Sequence, residues 1–301
     1  MPIKTSSLPQ TLYGLWLMSR PLILPSGVLA YAVGVALALA DGPIDWSRQA
    51  IGLTLTMLAN LAAHYADEYA DADTDALAKH TGVSGGSGAI ATGYADRPLA
   101  LQAAVVVSGI TLLGGAWATL SGTIPLAAGI ILLIGLLGGW AYSMPPIALE
   151  RRGWGELANA LLGGLLMPLM AYACAHGAPP LRVYAQLAPV VAAALVCIIG
   201  VHWADRHADA QVGKHTLAVI YGPQVRWWWW LSLALAYGLP VALASWILPA
   251  VVTIACLLTL PVGLYTAARL THTDSPAPGA STMVALMLAH ITGYLLAASA
   301  G

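Results

Sequence analysis

The feature that most constrains this chain is a run of long apolar stretches, each close to the length a bilayer demands. Hydrocarbon offers the backbone no hydrogen-bond partner, so a spanning segment must be a helix of roughly 20 mostly apolar residues. Nine such stretches are read, at 21–40, 48–66, 98–119, 124–142, 154–175, 185–203, 227–247, 249–268 and 281–299. A single kinked helix around Pro249 would lower the count and reverse the topology after it. Only 8% of the 301 residues are charged, against roughly 25% in soluble domains. The expectation is an all-α, multi-pass membrane protein with nine transmembrane helices.

Charge placement orients these spans, because cytoplasmic loops collect Lys and Arg. With the N-terminus inside, that side carries Lys4, Arg20, Lys79, Arg97, Arg151, Arg152, Arg206, Lys214, Arg226 and Arg269; the other side carries only Arg48 and Arg182. An inner-membrane protein with a cytoplasmic N-terminus follows. The segment before residue 21 shows no clear cleavage site, so no signal peptide is expected. Trp227 to Trp230 fall at the cytoplasmic interface, where an aromatic belt accounts for them. The loops expected inside (67–97, 143–153, 204–226, 269–280) are long and the outer ones short. Long loops with their own chemistry tend to carry function, so the working face is expected to be cytoplasmic. The net charge of -1 gives no field for nucleic acid. Cys174, Cys197 and Cys256 lie in apolar runs without C-x-x-C spacing and read as buried thiols.

Against this background the acids are concentrated. "NLAAHYADEYADADTD" (60–75) holds Asp67 and Asp71, four residues apart, and Asp75 four further on. That spacing puts carboxylates on one helix face, where they repel unless a cation compensates. "HWADRHADAQVGKHTL" (202–217) repeats the spacing with Asp205 and Asp209. Both pairs end an even-numbered span, so both face the same side. They lie four spans apart, as in a duplicated four-helix unit. The expected organisation is one domain, 1–301, with pseudo-duplicated halves at about 20–142 and 154–268 and a final helix at 281–299. Magnesium takes oxygen ligands and binds through one or two carboxylates plus substrate phosphates. Two facing carboxylate pairs therefore suit metal ions bridging a diphosphate. Lys79 and Lys214 each follow an acid pair closely and are candidates for phosphate. His64, His80, His202, His207 and His215 gather nearby; zinc would use them, but aspartate pairs suit magnesium better. A secondary transporter is the competing class, since intramembrane acids and internal repeats also occur there; its sites lie at mid-membrane, whereas these acids sit at one interface.

Four stretches, in order, resemble the UbiA superfamily of intramembrane prenyltransferases. They are "RPLILPSG" (20–27), the stretch with Asn60, Asp67 and Asp71 followed by "TGVSGGSG" (81–88), "YSMPPIALERRGWGE" (142–156), and "DRHADAQVGKHTLAVIYG" (205–222). The resemblance implies nine helices around a central cavity, Mg2+, and transfer of a polyprenyl group from an allylic diphosphate to an acceptor, with the bilayer as its setting. It implies Asn60, Asp67 and Asp71 at a first metal and diphosphate site and Asp205 and Asp209 at a second. Lys79, Lys214, Tyr142 and Arg152 match further diphosphate-binding positions. Two stretches depart: Ala63-His64 stand where the family reads N-D or N-E, with His64, Glu68 or Asp73 as the candidates to replace the missing acid, and the glycine loop reads T-G-V-S in place of T-P-F-S. The GGSG loop and the V-G-K-x-T-L tail look most like the branch acting on 1,4-dihydroxy-2-naphthoate in menaquinone synthesis. Other aromatic acceptors (chlorophyllide-type, hydroxybenzoate, homogentisate) are the alternatives.

Overall fold

A computed structural model describes residues 8–81, 83–244 and 246–300. Lys4, counted in the charge asymmetry, and Gly82 of the glycine loop lie outside the described residues.

The described chain is helical, with one isolated bridge between Ala244 and Leu248 in place of any sheet. In order come α1 (Leu8–Met18), α2 (Leu24–Asp41), α3 (Trp46–Asp75), α4 (Arg97–Leu120) and α5 (Leu126–Ser143). A 3-10 turn (Leu149–Arg152) leads to α6 (Gly155–Leu161) and α7 (Met167–His176), then α8 (Leu181–Gln211) and α9 (Leu217–Tyr221). The chain closes with α10 (Val225–Ala242), α11 (Ala250–Leu258), α12 (Leu260–Arg269) and α13 (Ala277–Ala300). Local chemistry sets the starts. Asp45 accepts from the backbone N–H of Ser47 and Arg48 to cap α3, and Asp96 accepts from Leu99 to cap α4; each satisfies orphan donors of a first turn.

A helix stands at each of the nine expected places, and two of the nine are broken. Helices α6 and α7 are joined by a π-helical turn at Leu162–Leu166. Pro168 lacks the N–H that would close the regular ladder there, and a widened turn accommodates that loss. Helices α11 and α12 bend by 44°, where Pro261 interrupts the ladder. Six of the units are long and apolar enough to cross a membrane, or seven counting the bent pair. The two others depart for visible reasons: α3 carries five acids along its last three turns, and α10 opens on Arg226 and four tryptophans.

Helix α3 packs on α4 and α5, α2 on α7 and α13, and α8 on α10 and α13. The shared interior includes Leu37, Leu169, Leu187, Ile199, Trp229 and Leu286, all essentially buried. The outer faces are apolar as well: Leu113, Leu120, Leu181 and Trp246 are largely exposed. Apolar residues on both faces suit a helix bundle with lipid around it. Of the tryptophan run, Trp227, Trp228 and Trp230 face outward, while Trp229 is fully buried and donates to the Val196 carbonyl at 2.9 Å.

Candidate active site

Helices α3 and α8 are 30 and 31 residues long. At 1.5 Å per residue each measures about 45 Å, well beyond a hydrocarbon core of about 30 Å. Their last turns, which hold the acids, therefore reach past the apolar layer at one end of the bundle. Arg20 before α2, Tyr142 at the end of α5, the 149–152 turn and Lys214 after α8 meet at that end.

There a cavity of about 380 Å³ opens, within the usual range for small-molecule sites. Arg20, Asn60, Asp67, Asp71, Tyr142, Glu150, Asp205, Asp209 and Lys214 line its polar part. The remainder is apolar, with Ile131, Leu132, Leu166, Ile198 and four methionines (Met167, Met170, Met283, Met287) among its walls. Both aspartate pairs thus face one space, although they lie 138 residues apart in sequence (Asp67 to Asp205).

The two pairs differ in their partners. Asp67 accepts from Ser143 Oγ at 3.0 Å and pairs with Arg20 at 2.8 Å. Asp71 is bound by the Lys214 ammonium and, at 3.4 Å, by Arg151. Lys214 also reaches Glu150 Oε2 at 3.2 Å. Burial alone would discharge Lys214, but Asp71, Glu150 and Asp67 more than offset it and push its pKa up. Glu150 is shifted up as well: burial first, then Asp71 and Asp67, hold its pKa well above the usual carboxylate range. Oxygen atoms of Asp67, Asp71 and Glu150 come within 4.8 Å of one another. On the facing side Asp205 accepts from the Gly85 N–H at 3.2 Å and Asp209 from Thr216 Oγ1 at 3.5 Å.

The glycine loop is tied over this end. Glu68 accepts from the Ser87 N–H at 2.9 Å, from Ser87 Oγ at 2.6 Å and from Arg20 Nε at 2.8 Å. Gly85 and Gly86 both adopt positive φ, and a Cβ on Gly86 would lie 2.1 Å from Asp75 Oδ2. Only glycine allows the loop to pass that close. Arg20 itself has φ of 52°, a region that costs a non-glycine residue of order 1–3 kcal/mol. Its carboxylate partners hold it there, and burial notwithstanding, Glu68, Asp67 and Asp75 raise its pKa.

Two expected residues stand elsewhere. Lys79 is exposed and does not line the cavity. Arg152 is exposed too and donates to the Pro146 carbonyl at 2.6 Å; its neighbour Arg151 turns inward instead. The cations at the site are therefore Arg20, Lys214 and Arg151. The sequence reading did not single out Arg20, Glu150 or Glu156, although each lies in a quoted motif; Glu68, a candidate to replace the missing acid, instead holds the glycine loop and Arg20. Trp140, Tyr142, Trp154 and Trp203 lie near span ends, where an aromatic face could meet a cation, and of these four only Tyr142 lines the cavity. Trp140 donates to Ser108, Trp203 lies under Arg206, and Trp154 is exposed. His64 lines the cavity with its Nδ1 3.0 Å from the Ser19 carbonyl.

Known proteins place this architecture. A UbiA homolog from Archaeoglobus fulgidus bound to GPP and Mg2+ shares the fold with a TM-score of 0.72 at 16% identity, over 95% of this chain and 99% of that one. An apo UbiA homolog from Aeropyrum pernix K1 gives 0.71 at 16% identity, over 91% and 98%. A digeranylgeranylglyceryl phosphate synthase gives 0.64 at 15% identity, over 96% and 99%. No curated protein sequence matches significantly. The profile of the UbiA prenyltransferase family matches residues 27–291, nearly the whole helical bundle, and the chain belongs to that family.

Proposed function

We propose that the chain transfers a polyprenyl group from an allylic diphosphate to an aromatic acceptor, with 1,4-dihydroxy-2-naphthoate as the first acceptor to try. The observation that carries this reading is one cavity with a charged end and an apolar remainder. A prenyl diphosphate has the same division between head and tail. The solved homologs bound to GPP or DMAPP together with Mg2+ support the substrate class. The naphthoate acceptor rests on the GGSG and V-G-K-x-T-L stretches.

The donor set fits magnesium. Asp67, Asp71 and Glu150 offer hard oxygen atoms within 4.8 Å of one another, close enough to share an ion, and Glu150 Oε1 is buried without a partner among the described residues. Asp205 and Asp209 would hold a second ion opposite. When bound, Mg2+ neutralises the diphosphate and makes it a better leaving group. Arg20, Arg151 and Lys214 add positive charge at the same end and bind the phosphate oxygens, with Asn60 and Tyr142 as neutral hydrogen-bonding partners. The apolar walls hold the tail and exclude water, so the allylic carbon meets the acceptor ring before it meets hydroxide. The Tyr142 ring stands where it can face developing positive charge.

In the same reading all nine helical units cross the membrane, α3 and α10 being carried by their neighbours. The charged end is cytoplasmic, and the two halves at 20–142 and 154–268 descend from a duplication that placed an acid pair at the same point in each. Membranes holding the protein, incubated with Mg2+, several allylic diphosphates and a panel of aromatic acids, should yield a prenylated product identifiable by mass. D67A and D209A should each abolish it; turnover retained in either variant rejects these roles.

A further inference from the structure

One buried titratable pair, His202 and Glu156, is not used by the diphosphate chemistry. His202 on α8 lines the cavity, as does Tyr142 on α5. Behind His202, on the side away from the cavity, lies Glu156 in the first turn of α6, 1% exposed. The His202 Nδ1 is 2.7 Å from Glu156 Oε1, and its Nε2 is 3.4 Å from the Tyr142 hydroxyl. The same Glu156 oxygen accepts from the Leu217 N–H at 2.7 Å, which fixes the carboxylate from a third element.

We infer that His202 is the base that takes the proton of the acceptor, with Glu156 and Tyr142 as positioning residues. This rests on the prenyl-transfer reading above. A carboxylate only accepts, so Nδ1 carries the hydrogen, and in the neutral ring Nε2 holds the lone pair. A buried carboxylate on Nδ1 stabilises the imidazolium formed when Nε2 is protonated, the arrangement that makes histidine an effective base in hydrolases. The Tyr142 contact is long enough to yield to a better donor, such as a ring hydroxyl. His64, the other cavity-lining histidine, has a backbone carbonyl on Nδ1 rather than a carboxylate, and so lacks this support. The four aspartates and Glu150 are committed by the reading above to metal ions, and Asp75 pairs with Arg20, which leaves His202 as the carboxylate-backed proton acceptor lining the cavity.

The step balances. The acceptor hydroxyl gives its proton to Nε2, and its ring carbon forms the new bond to the allylic carbon. The C–O bond to diphosphate breaks, and its electron pair leaves with the diphosphate. The hydrogen of the substituted ring carbon then passes to the oxygen, restoring the aromatic hydroxyl. One proton remains on His202, to be released to water.

The test compares two acceptors, one with a neutral ring hydroxyl and one whose hydroxyl is already ionised at the assay pH. With the neutral acceptor, H202Q should lower kcat by about 100-fold or more, the usual scale for a lost general base, and leave KM for the allylic diphosphate unchanged. With the ionised acceptor the loss should shrink to under about 10-fold, because no proton remains to be taken. H202Q within about 3-fold of wild type, or an equal loss with both acceptors, overturns the inference. Direct binding of the allylic diphosphate reports whether H202Q is folded. Should it not bind, E156Q gives the same two-acceptor comparison, with a kcat loss that must again be smaller for the ionised acceptor. Wild-type protein that transfers to no acceptor overturns the prenyl-transfer reading itself; active wild type with an unaffected H202Q overturns this inference alone.

Discussion

At the scale of single residues, the two lysines after the acid pairs make opposite predictions. Lys214 is buried between Asp71 and Glu150. Removing one partner of a buried pair leaves an uncompensated charge, at a cost of about 3–5 kcal/mol. K214A should therefore lower the unfolding temperature in detergent and raise KM for the diphosphate. K79A, at an exposed position off the cavity, should change neither beyond about 0.5 kcal/mol, the usual limit for such surface sites. The aspartate pairs were legible in the sequence because i, i+4 spacing places two carboxylates on one face whatever the helix packs against. Arg20, Glu150 and the Glu156–His202 pair were not, because each gains its meaning from a partner 46 to 79 residues away (Glu156 to His202 and Glu150 to Asp71 being the ends of that range). The choice between Arg151 and Arg152 was equally hidden. It depends on the register of a short 3-10 turn, which no periodicity announces.

At the scale of elements, the apolar runs located the helices well, since a bilayer-length hydrophobic segment has few other conformations open to it. What they did not show was where helices outlast the apolar layer. Helices α3 and α8 continue as regular helix through their acidic ends, and it is that continuation which carries both aspartate pairs to one cavity. The breaks were half legible: Pro168 and Pro261 mark disturbed turns, but not whether a turn widens or bends. Close packing was invisible too. Gly34 of α2 sits against α7 so tightly that a Cβ would lie 2.0 Å from the Pro168 carbonyl oxygen. G34A should force the two helices apart and cost about 1–3 kcal/mol, measurable as a lowered thermal unfolding midpoint in detergent, while G135A, with open space around it, should not.

For the whole molecule, the charge asymmetry and the helix order make a joint prediction about sidedness. Cysteines introduced by K79C and D274C should react with a membrane-impermeant thiol reagent from the same side, and one from G177C from the opposite side. The native Cys174 and Cys256 are buried and Cys197 is half-buried, so background labelling should be low. If D274C instead labels with G177C, the bent α11–α12 pair does not cross and the number of spans falls. The methionines among the cavity walls have a further consequence. A thioether on an unbranched stem changes shape at little cost, so Met167, Met170, Met283 and Met287 form a yielding partition instead of a fixed stop. Donors differing by one or two five-carbon units should turn over at rates within about one order of magnitude, since a methionine can swing aside where a branched side chain would clash. Replacing Met170 or Met287 by isoleucine should convert that tolerance into a sharp length limit, seen as a product spectrum that narrows to the shorter donors.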